Sequence, residues 1–262
     1  MKLPVDMKLP VDMIKISVIT AVLNGANTLS ACINSIQRQT VSVEHIIIDG
    51  GSTDGIIEIV NKLKSGDSIF LSEPDRGFYD AINKGLKLAT GDVIGILNAD
   101  DLYAHEFVLE KVSACFADDS VDSCYGDLVY CDSIDTGKVR RYWRSGHYHK
   151  KRFFQGWMPP HPTFFVRRKI YEQYGGFNLK LGTAADYELM LRFLVRYKIS
   201  TSYIPEVLVK MRIGGQSNAT LRRRFVANRM DRNAWAVNGL KPYPWTLLMK
   251  PLSKIGQYFF RE

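Results

Sequence analysis

The sequence predicts an α/β fold with a mostly parallel central sheet flanked by helices. Short apolar runs rich in β-branched residues alternate with amphipathic segments over residues 15–97, and the turns between them are short. Such alternation is typical of βαβ units. The composition agrees with this prediction, because 46% hydrophobic and 24% charged residues in a chain of 262 is the balance of a globular protein with a sizeable core.

The first part of the chain contains four predicted strands and three predicted helices. Apolar residues in the helical segments recur three and four positions apart, as at Leu29, Ile33 and Ile36. Ser52 or Thr53 is available to cap the second helix. The strands are predicted over 15–20, 43–49, 68–71 and 92–97, and the helices over 28–40, 54–65 and 79–89.

The second half of the chain is less regular. Its longest periodic segment is a strongly amphipathic helix over 184–197, and prolines on both sides of His161 indicate a loop. No apolar stretch reaches the roughly 18 residues of a membrane-spanning helix. The remaining predictions are a helix over 105–116 and strands over 123–132, 138–143, 163–166 and 207–213.

The two ends of the chain differ from the middle. Residues 1–12 repeat MKLPVD twice, which indicates a duplicated tag or a cloning scar rather than native sequence. We expect one domain over 13–218 and a basic amphipathic segment over 219–262. The four cysteines show no CxxC spacing and no secretory signal is recognisable, so we expect a reduced, cytoplasmic protein.

Positive charge is concentrated at the C-terminal end. The net charge is +8 overall but +9 from Lys210 onward, so residues 1–209 sum to −1. Basic residues interleaved with aromatic ones favour contact with an anionic membrane surface. The segment therefore predicts peripheral association with the inner face of the plasma membrane. The alternative is that its aromatic residues pack on the domain and its arginines keep the protein soluble.

Polar motifs follow each of the four predicted strands. The carboxyl ends of parallel strands meet at one edge of a sheet, and ligands of such sheets bind there. The loops that we expect at this edge are TAVLNGANTL (20–29), DGGSTDG (49–55), SEPDRGFYDAINKG (72–85) and NADD (98–101).

In this order and at these spacings, the four loops resemble those of the inverting family 2 glycosyltransferases of the GT-A fold, of the type that builds bacterial O-antigen or capsule. The resemblance covers about residues 14–218. It implies a Rossmann-like domain that moves a hexose or N-acetylhexosamine from a UDP-sugar to a hydroxyl, forming a β-linkage. It also implies that the acceptor is a glycan on a lipid diphosphate carrier.

The resemblance assigns the donor nucleotide to the first loops. Asp49 ends a strand, where its carboxylate can accept hydrogen bonds from a pyrimidine N–H or a ribose hydroxyl. Arg76 can contact uracil or phosphate, with a salt bridge to Glu73 or Asp75 as the alternative. Ala21 stands where the family usually has proline. The predicted donor residues are Thr20, Ala21, Leu23, Asn24, Asp49, Ser52, Arg76, Asn98 and Ala99.

The NADD loop occupies the place of the family's DxD motif. A divalent ion such as Mn²⁺ or Mg²⁺, held by carboxylates, would neutralise the departing diphosphate. Asp100 matches the family's metal-binding aspartate, Asp101 is the second candidate ligand, and Asn98 replaces the first family aspartate. No histidine follows His161, so we expect no histidine ligand from the C-terminal region.

Asp186 matches the family's general base at the start of the long helix. Ala185 stands where the family has another acid, so Asp186 alone remains for that role. His161 and Trp157 are weaker candidates for the acceptor site, with structural packing as the alternative. Arg212 and Ser217 belong to a glycine-containing lid that could reach the diphosphate.

Two other functions fit parts of the sequence. A sugar-phosphate nucleotidyltransferase would use a similar fold and acidic site, but it needs a basic glycine-rich loop, and residues 20–28 contain no Lys or Arg. A nucleic-acid-binding protein would explain the basic tail but not the acidic rim. We therefore expect no nucleic-acid partner.

Overall fold

The computed structural model describes residues 14–214, 221–253 and 257, with side chains from 229 onward in the second range. Their strands form one mixed sheet in the order β3-β2-β1-β4-β8-β6-β9-β5, and β7 pairs with β6. The strands are β1 Ile16–Val22, β2 Val43–Asp49, β3 Ser68–Ser72, β4 Val93–Ile96, β5 Leu102–Tyr103, β6 Ser123–Cys131, β7 Val139–Trp143, β8 Phe165–Arg167 and β9 Thr201–Arg212.

Helices cover the faces of this sheet. They are α1 Ala26–Gln37, α2 Ile56–Leu63, α3 Phe78–Leu88, α4 Val108–Cys115, α5 Lys150–Phe154, α6 Arg168–Tyr174, α7 Ala185–Met190, α8 Leu221–Val237 and α9 Thr246–Leu252. The α/β prediction is confirmed. The pairs β1–β2, β1–β4, β2–β3 and β6–β9 are parallel, whereas β4–β8, β6–β8, β6–β7 and β5–β9 are antiparallel.

Strand β1 lies at the centre of the parallel part. All seven of its residues are buried, because sheet neighbours flank both edges and helices cover both faces. Strands buried in this way form near-continuous apolar runs. Their carboxyl ends bring the loops after Val22, Asp49, Ser72 and Ile96 to one edge.

Several elements differ from the sequence prediction. Neither Ser52 nor Thr53 caps α2: Gly55, with a φ of 89°, precedes the helix, and no side chain caps it. The helix predicted over 105–116 begins only at Val108. Strand β9 begins six residues earlier than predicted, since its first half also pairs with β6. Strand β5 and helices α5 and α6 were not predicted.

Helix α7 carries Asp186 and continues as a π-helical stretch, Leu191–Arg196. Its buried Glu188 is held by the guanidinium of Arg192, whose Nε lies 3.0 Å from Oε1. The same guanidinium donates to the carbonyls of Tyr174, Gly175 and Gly176. One cation thus fixes α7 to the turn that follows α6.

Helix α8 also packs on α7. Trp235 is fully buried, and its indole N–H donates to the hydroxyl of Tyr187 at 3.0 Å. Asn238 donates to the carboxylate of Glu188 at 3.2 Å. These contacts place Trp235 in the main hydrophobic core. The boundary predicted after residue 218 stays a prediction, but α8 shares its core with the preceding residues.

Within the described ranges, no helix is both long and apolar enough to cross a bilayer. The four cysteines are all free thiols.

Glu44 joins strands at the edge opposite the polar loops. Its carboxylate accepts hydrogen bonds from Ser17, from the backbone and hydroxyl of Thr90, and from the Lys15 ammonium at 3.0 Å. Burial alone would raise the pKa of Glu44. The hydrogen bonds together outweigh burial and lower that pKa to about 2.

We expect Glu44→Gln to remove a pH-dependent part of the stability. A depressed native pKa stabilises the fold above the unfolded value of about 4.5 and loses that effect as the pH falls towards 2. The free energy of unfolding of the wild type should fall by on the order of 3 kcal/mol over this range. Urea unfolding at several pH values measures it. The exposed Glu58→Gln serves as a control, and an equal pH slope in both variants would contradict the assignment.

Candidate active site

The loop after β2 is built around Asp49. This fully buried carboxylate accepts hydrogen bonds from the backbone and hydroxyl of Ser52 and, at 2.7 Å, from the hydroxyl of Ser72. The Ser52 hydroxyl oxygen accepts in turn from the backbone N–H of Asn24 at 2.8 Å. Asn24, with a φ of 50°, accepts from the backbone of Thr53 at 3.0 Å. The first three loops therefore form one hydrogen-bonded floor.

The predicted donor residues of the first loop lie at different depths. Thr20 and Ala21 belong to β1 and are buried, and the hydroxyl of Thr20 hydrogen-bonds His45 Nε2 at 3.0 Å. The Thr20 side chain therefore points into the core, and a donor contact through it is not supported. Leu23 is 55% exposed at the rim, beside Asn24.

Arg76 pairs with Asp80 rather than with Glu73 or Asp75. Two of its guanidinium nitrogens donate to the two carboxylate oxygens, at 3.0 and 3.3 Å. These bonds lower the pKa of Asp80 to about 2. Glu73 instead pairs with Lys84 at 2.9 Å. The predicted salt-bridge partners were wrong, because Arg76 and Asp80 are one turn apart at the start of α3.

The NADD loop holds a buried carboxyl group. Asp101 is fully buried and accepts from the Asn98 amide at 2.7 Å, while its Oδ1 and the Asn98 Oδ1 have no protein partner. Burial, and then the charge of Asp100, raise the pKa of Asp101 well above its usual range. Ala99 is buried beneath the loop. Arg212 donates to the backbone carbonyl of Asp100 at 2.6 Å, which joins β9 to this loop.

This donor set fits a hard divalent cation. Orphaned buried oxygens on Asn98 and Asp101 lie beside the carboxylate of Asp100, and Mn²⁺ and Mg²⁺ prefer oxygen ligands. Over the residues described, no three His, Cys, Asp or Glu side chains gather into a metal cluster. A cation here would therefore take its remaining ligands from a bound diphosphate and water.

Asp186 lies in the first turn of α7 with a side chain 16% exposed. Its Oδ2 is 3.4 Å from His161 Nδ1, and its Oδ1 accepts from the backbone of Tyr187 at 2.7 Å. Burial lowers the pKa of His161, and the charges of Asp186 and Asp100 oppose that change. His161 therefore feels the carboxylates of both the NADD loop and α7.

Tyr79 is a site residue that the sequence prediction missed. Its hydroxyl hydrogen-bonds Asp186, and burial followed by the charge of Asp186 raises the pKa of Tyr79 well above 10. The ring stacks on Phe177, with centroids 5.0 Å apart. Asn83, one turn further along α3, clamps the backbone of Phe177 through two hydrogen bonds. In the sequence, the signal that could have identified Tyr79 as a site residue is its position inside the third polar loop.

Trp157 is buried and part of the packing. Its indole N–H donates to the carbonyl of Ser145 at 2.9 Å, and its ring meets Tyr125 and Phe153 edge to face. One surface of the ring borders a cavity of about 910 Å³. Ser217 lies outside the described residues.

Comparisons with known proteins agree with this geometry. Residues 17–175 match the family model for glycosyl transferase family 2. The chain is 32% identical over 215 residues to a PGL/p-HBAD biosynthesis glycosyltransferase of Mycobacterium bovis, covering 80% of this chain and 82% of that one. It is 27% identical over 180 residues to chondroitin synthase of Pasteurella multocida, covering 68% of this chain and 18% of the synthase.

Solved structures share the fold. The mannosyltransferase PcManGT from Pyrobaculum calidifontis, in complex with GDP-Man and Mn²⁺, has a TM-score of 0.64 at 18% identity, covering 95% of this chain and 72% of that one. S. aureus TarS 1-349 in complex with UDP-GlcNAc has a TM-score of 0.64 at 16% identity, covering 90% and 69%. The GT-A fold is therefore confirmed, and the chain belongs to glycosyl transferase family 2 and is a glycosyltransferase.

Proposed function

We propose that the enzyme transfers a hexose or N-acetylhexosamine from a UDP-sugar to a hydroxyl of a lipid-diphosphate-linked glycan. The transfer inverts the anomeric carbon and forms a β-linkage, in the synthesis of an O-antigen or capsule. The observation that carries this proposal is the position of His161, which lies 3.4 Å from Asp186 and feels the charge of Asp100 as well. A donor-side carboxylate and an acceptor-side carboxylate thus flank one space.

The floor around Asp49 supports a nucleotide donor. The buried Asp49 carboxylate accepts hydrogen bonds from Ser52 and Ser72 on both of its oxygens and so fixes the loops that would surround the nucleotide. Asn24 and Arg76 stand at the rim of the same floor. Among the structural neighbours, TarS is in complex with UDP-GlcNAc and PcManGT with GDP-Man. We infer UDP as the donor nucleotide because Asp49 matches the aspartate that contacts the base in the family that the four loops resemble.

Asp100 and Asp101 are the proposed cation ligands, with the Asn98 amide oxygen beside them. A divalent ion held by these residues would neutralise charge on the leaving diphosphate. Arg212 holds the Asp100 backbone and brings a guanidinium to the same side. These residues orient the donor so that the anomeric carbon faces α7.

Asp186 is the proposed general base. It receives the proton of the acceptor hydroxyl while the hydroxyl oxygen attacks the anomeric carbon in line, and the bond from that carbon to the UDP phosphate oxygen breaks so that UDP leaves. Tyr79, His161 and the backbone of Tyr187 hold the carboxylate in one orientation. Binding holds the acceptor hydroxyl and the anomeric carbon in line. This raises the rate because the translational and rotational entropy is lost on binding and not in the transition state.

We expect Asp186→Asn to lower turnover by at least about a thousandfold, because the amide cannot take the hydroxyl proton. Its affinity for UDP should remain within about twofold, since the substitution lies on the acceptor side. Steady-state kinetics and calorimetric UDP titration measure the two quantities. Loss of UDP binding with normal turnover at saturation would instead place Asp186 in the donor site.

We expect Asp100→Ala to abolish transfer and to remove the Mn²⁺ dependence of UDP binding, because it deletes the half-buried carboxylate of the donor set. Titration of UDP with and without Mn²⁺ shows the effect. Asp67→Ala, an exposed acid far along the chain from this loop, is the control. Full activity of Asp100→Ala, or unchanged activity in EDTA, contradicts the cation site.

The C-terminal region supports the proposed membrane contact. Tyr243, Trp245, Leu248 and Leu252 expose about half or more of their surfaces on or next to α9. Apolar side chains clustered in this way, in a segment with an excess of Lys and Arg, are typical of helices that lie on a bilayer surface.

We expect the enzyme to float with anionic vesicles at low salt and to be released as the salt concentration rises, because the basic side chains contribute about 1 kcal/mol each near such a surface. Deletion of 240–262 should abolish flotation. Leu248→Ser combined with Leu252→Ser should weaken flotation without disturbing the core, and Lys87→Ser with Lys62→Ser is the matched surface control. If the wild type does not bind the vesicles at low salt, the C-terminal segment only packs on the domain.

A further inference from the structure

The cavity of about 910 Å³ beside Trp157 has no role in donor binding or proton transfer as described above. It lies between the end of β7, the segment from α5 to Met158, and α9. Its volume falls within the range of sites for small organic ligands. Trp143, Trp157 and Met158 form buried walls, while Trp245 and Met249 stand half-exposed at its mouth.

Two arginines give this apolar cavity a positive charge. Arg144 and Arg152 border it, and no acidic side chain does so among the residues that the structure describes. Arg152 lies 4.6 Å from the centroid of the Trp157 ring and donates to the carbonyls of Ser145 and His147 through Nη1. Within the part of the chain that the structure describes, its Nη2 makes no hydrogen bond and can serve an anion, because guanidinium groups bind phosphate well.

The cavity is close to the general base along the chain. Trp157 and His161 are four positions apart along the chain, a separation that spans at most about 14 Å when fully extended. His161 lies 3.4 Å from Asp186. The Trp157 wall of the cavity is therefore at most about 14 Å along the backbone from a residue that contacts Asp186, so a glycan that extends from the cavity can reach the base.

We propose that this cavity binds the phosphorylated lipid end of the acceptor. The apolar walls take the first part of the hydrocarbon chain, Arg144 and Arg152 take the phosphate groups, and the glycan extends past His161 to Asp186. The exposed apolar side chains of α9 beside the mouth give the rest of the lipid a path to the membrane. This proposal rests on the proposed function, since it identifies where that acceptor is held.

Binding of dodecyl phosphate to the full chain, below its critical micelle concentration, tests the cavity directly. Isothermal titration calorimetry should show saturable binding. Inorganic phosphate, which lacks the tail, and dodecyltrimethylammonium, which has the opposite charge, should bind at least about a hundredfold more weakly. Equal binding of the cationic amphiphile would show an unselective apolar surface and overturn the proposal.

Two tryptophan substitutions on helix surfaces form a matched pair. Met249→Trp on α9 fills the mouth of the cavity and should weaken dodecyl phosphate binding about tenfold or more, whereas Ile57→Trp on α2 adds similar bulk to an exposed site outside it and should leave affinity within about twofold. If Met249→Trp lowers the melting temperature, the exposed Arg144→Gln replaces it, with the same expected loss. Wild-type affinity in the folded variant overturns the proposal.

Two further measurements show whether the cavity binds the lipid-linked acceptor or bulk membrane phospholipid. Met249→Trp and Ile57→Trp should float with phosphatidylglycerol vesicles as the wild type does. Loss of flotation in Met249→Trp alone would assign the cavity to bulk phospholipid. In the transfer assay, dodecyl phosphate should compete with the lipid-linked acceptor and not with the UDP-sugar. If no UDP-sugar is used at all, the donor proposal fails, and the calorimetry still decides the cavity.

Discussion

Parallel pairing of β1 with both β2 and β4 is the constraint on which the donor side of the site depends. Because three neighbouring strands run in the same direction, their carboxyl ends reach one edge together, and each must be followed by a chain reversal. The polar backbone and side-chain groups of these turns would be costly to bury without hydrogen-bond partners. Asp49, Ser52 and Asn24 satisfy one another there, which yields a rigid floor before any ligand arrives.

The acceptor side depends on a different type of contact. Helix α7 begins at Ala185 and would be a short, poorly fixed element by itself. Side chains from three directions hold it: Arg192 from its own continuation, Trp235 and Asn238 from α8, and Tyr79 from α3. The carboxylate of Asp186 inherits its orientation from this surrounding structure, since a helix held at several points leaves its first turn little freedom.

The sequence was sufficient for the elements whose signals are local. Periodicity located β1 to β4 and α1 to α3 within a few residues, and the order of the polar loops after parallel strands predicted that Asp49 and Asp100 follow strands at one edge of the sheet. The assignment of Asp186 came from the family resemblance and stays a prediction. Sequence-based prediction failed where the deciding interactions are distant. The pairing of Arg76 with Asp80 was not predicted, because it depends on where α3 starts. The inward orientation of the Thr20 side chain was not predicted either, because it depends on a hydrogen bond to His45 in the next strand. The role of Tyr79 required the position of α7, which lies over a hundred residues away along the chain.

Strand β9 and helix α5 illustrate the same limit. The first half of β9 lacks a clear alternation of apolar and polar residues. Pairing with β6 fixes its extended conformation instead. Helix α5 spans only Lys150–Phe154, too short for a periodic signal. The buried aromatic cluster of Phe153, Trp157 and Tyr187 stabilises it instead.

The contact between α8 and α7 limits how this enzyme can be recombined with its relatives. Trp235 bonds to Tyr187, and Asn238 bonds to Glu188, so two positions after residue 230 are matched to two positions in the helix that bears Asp186. A chimera that exchanges the C-terminal region alone would set a foreign side chain against a buried hydroxyl and a buried carboxylate. Wherever a relative lacks these matched side chains, helices α7 and α8 consequently need to be exchanged together.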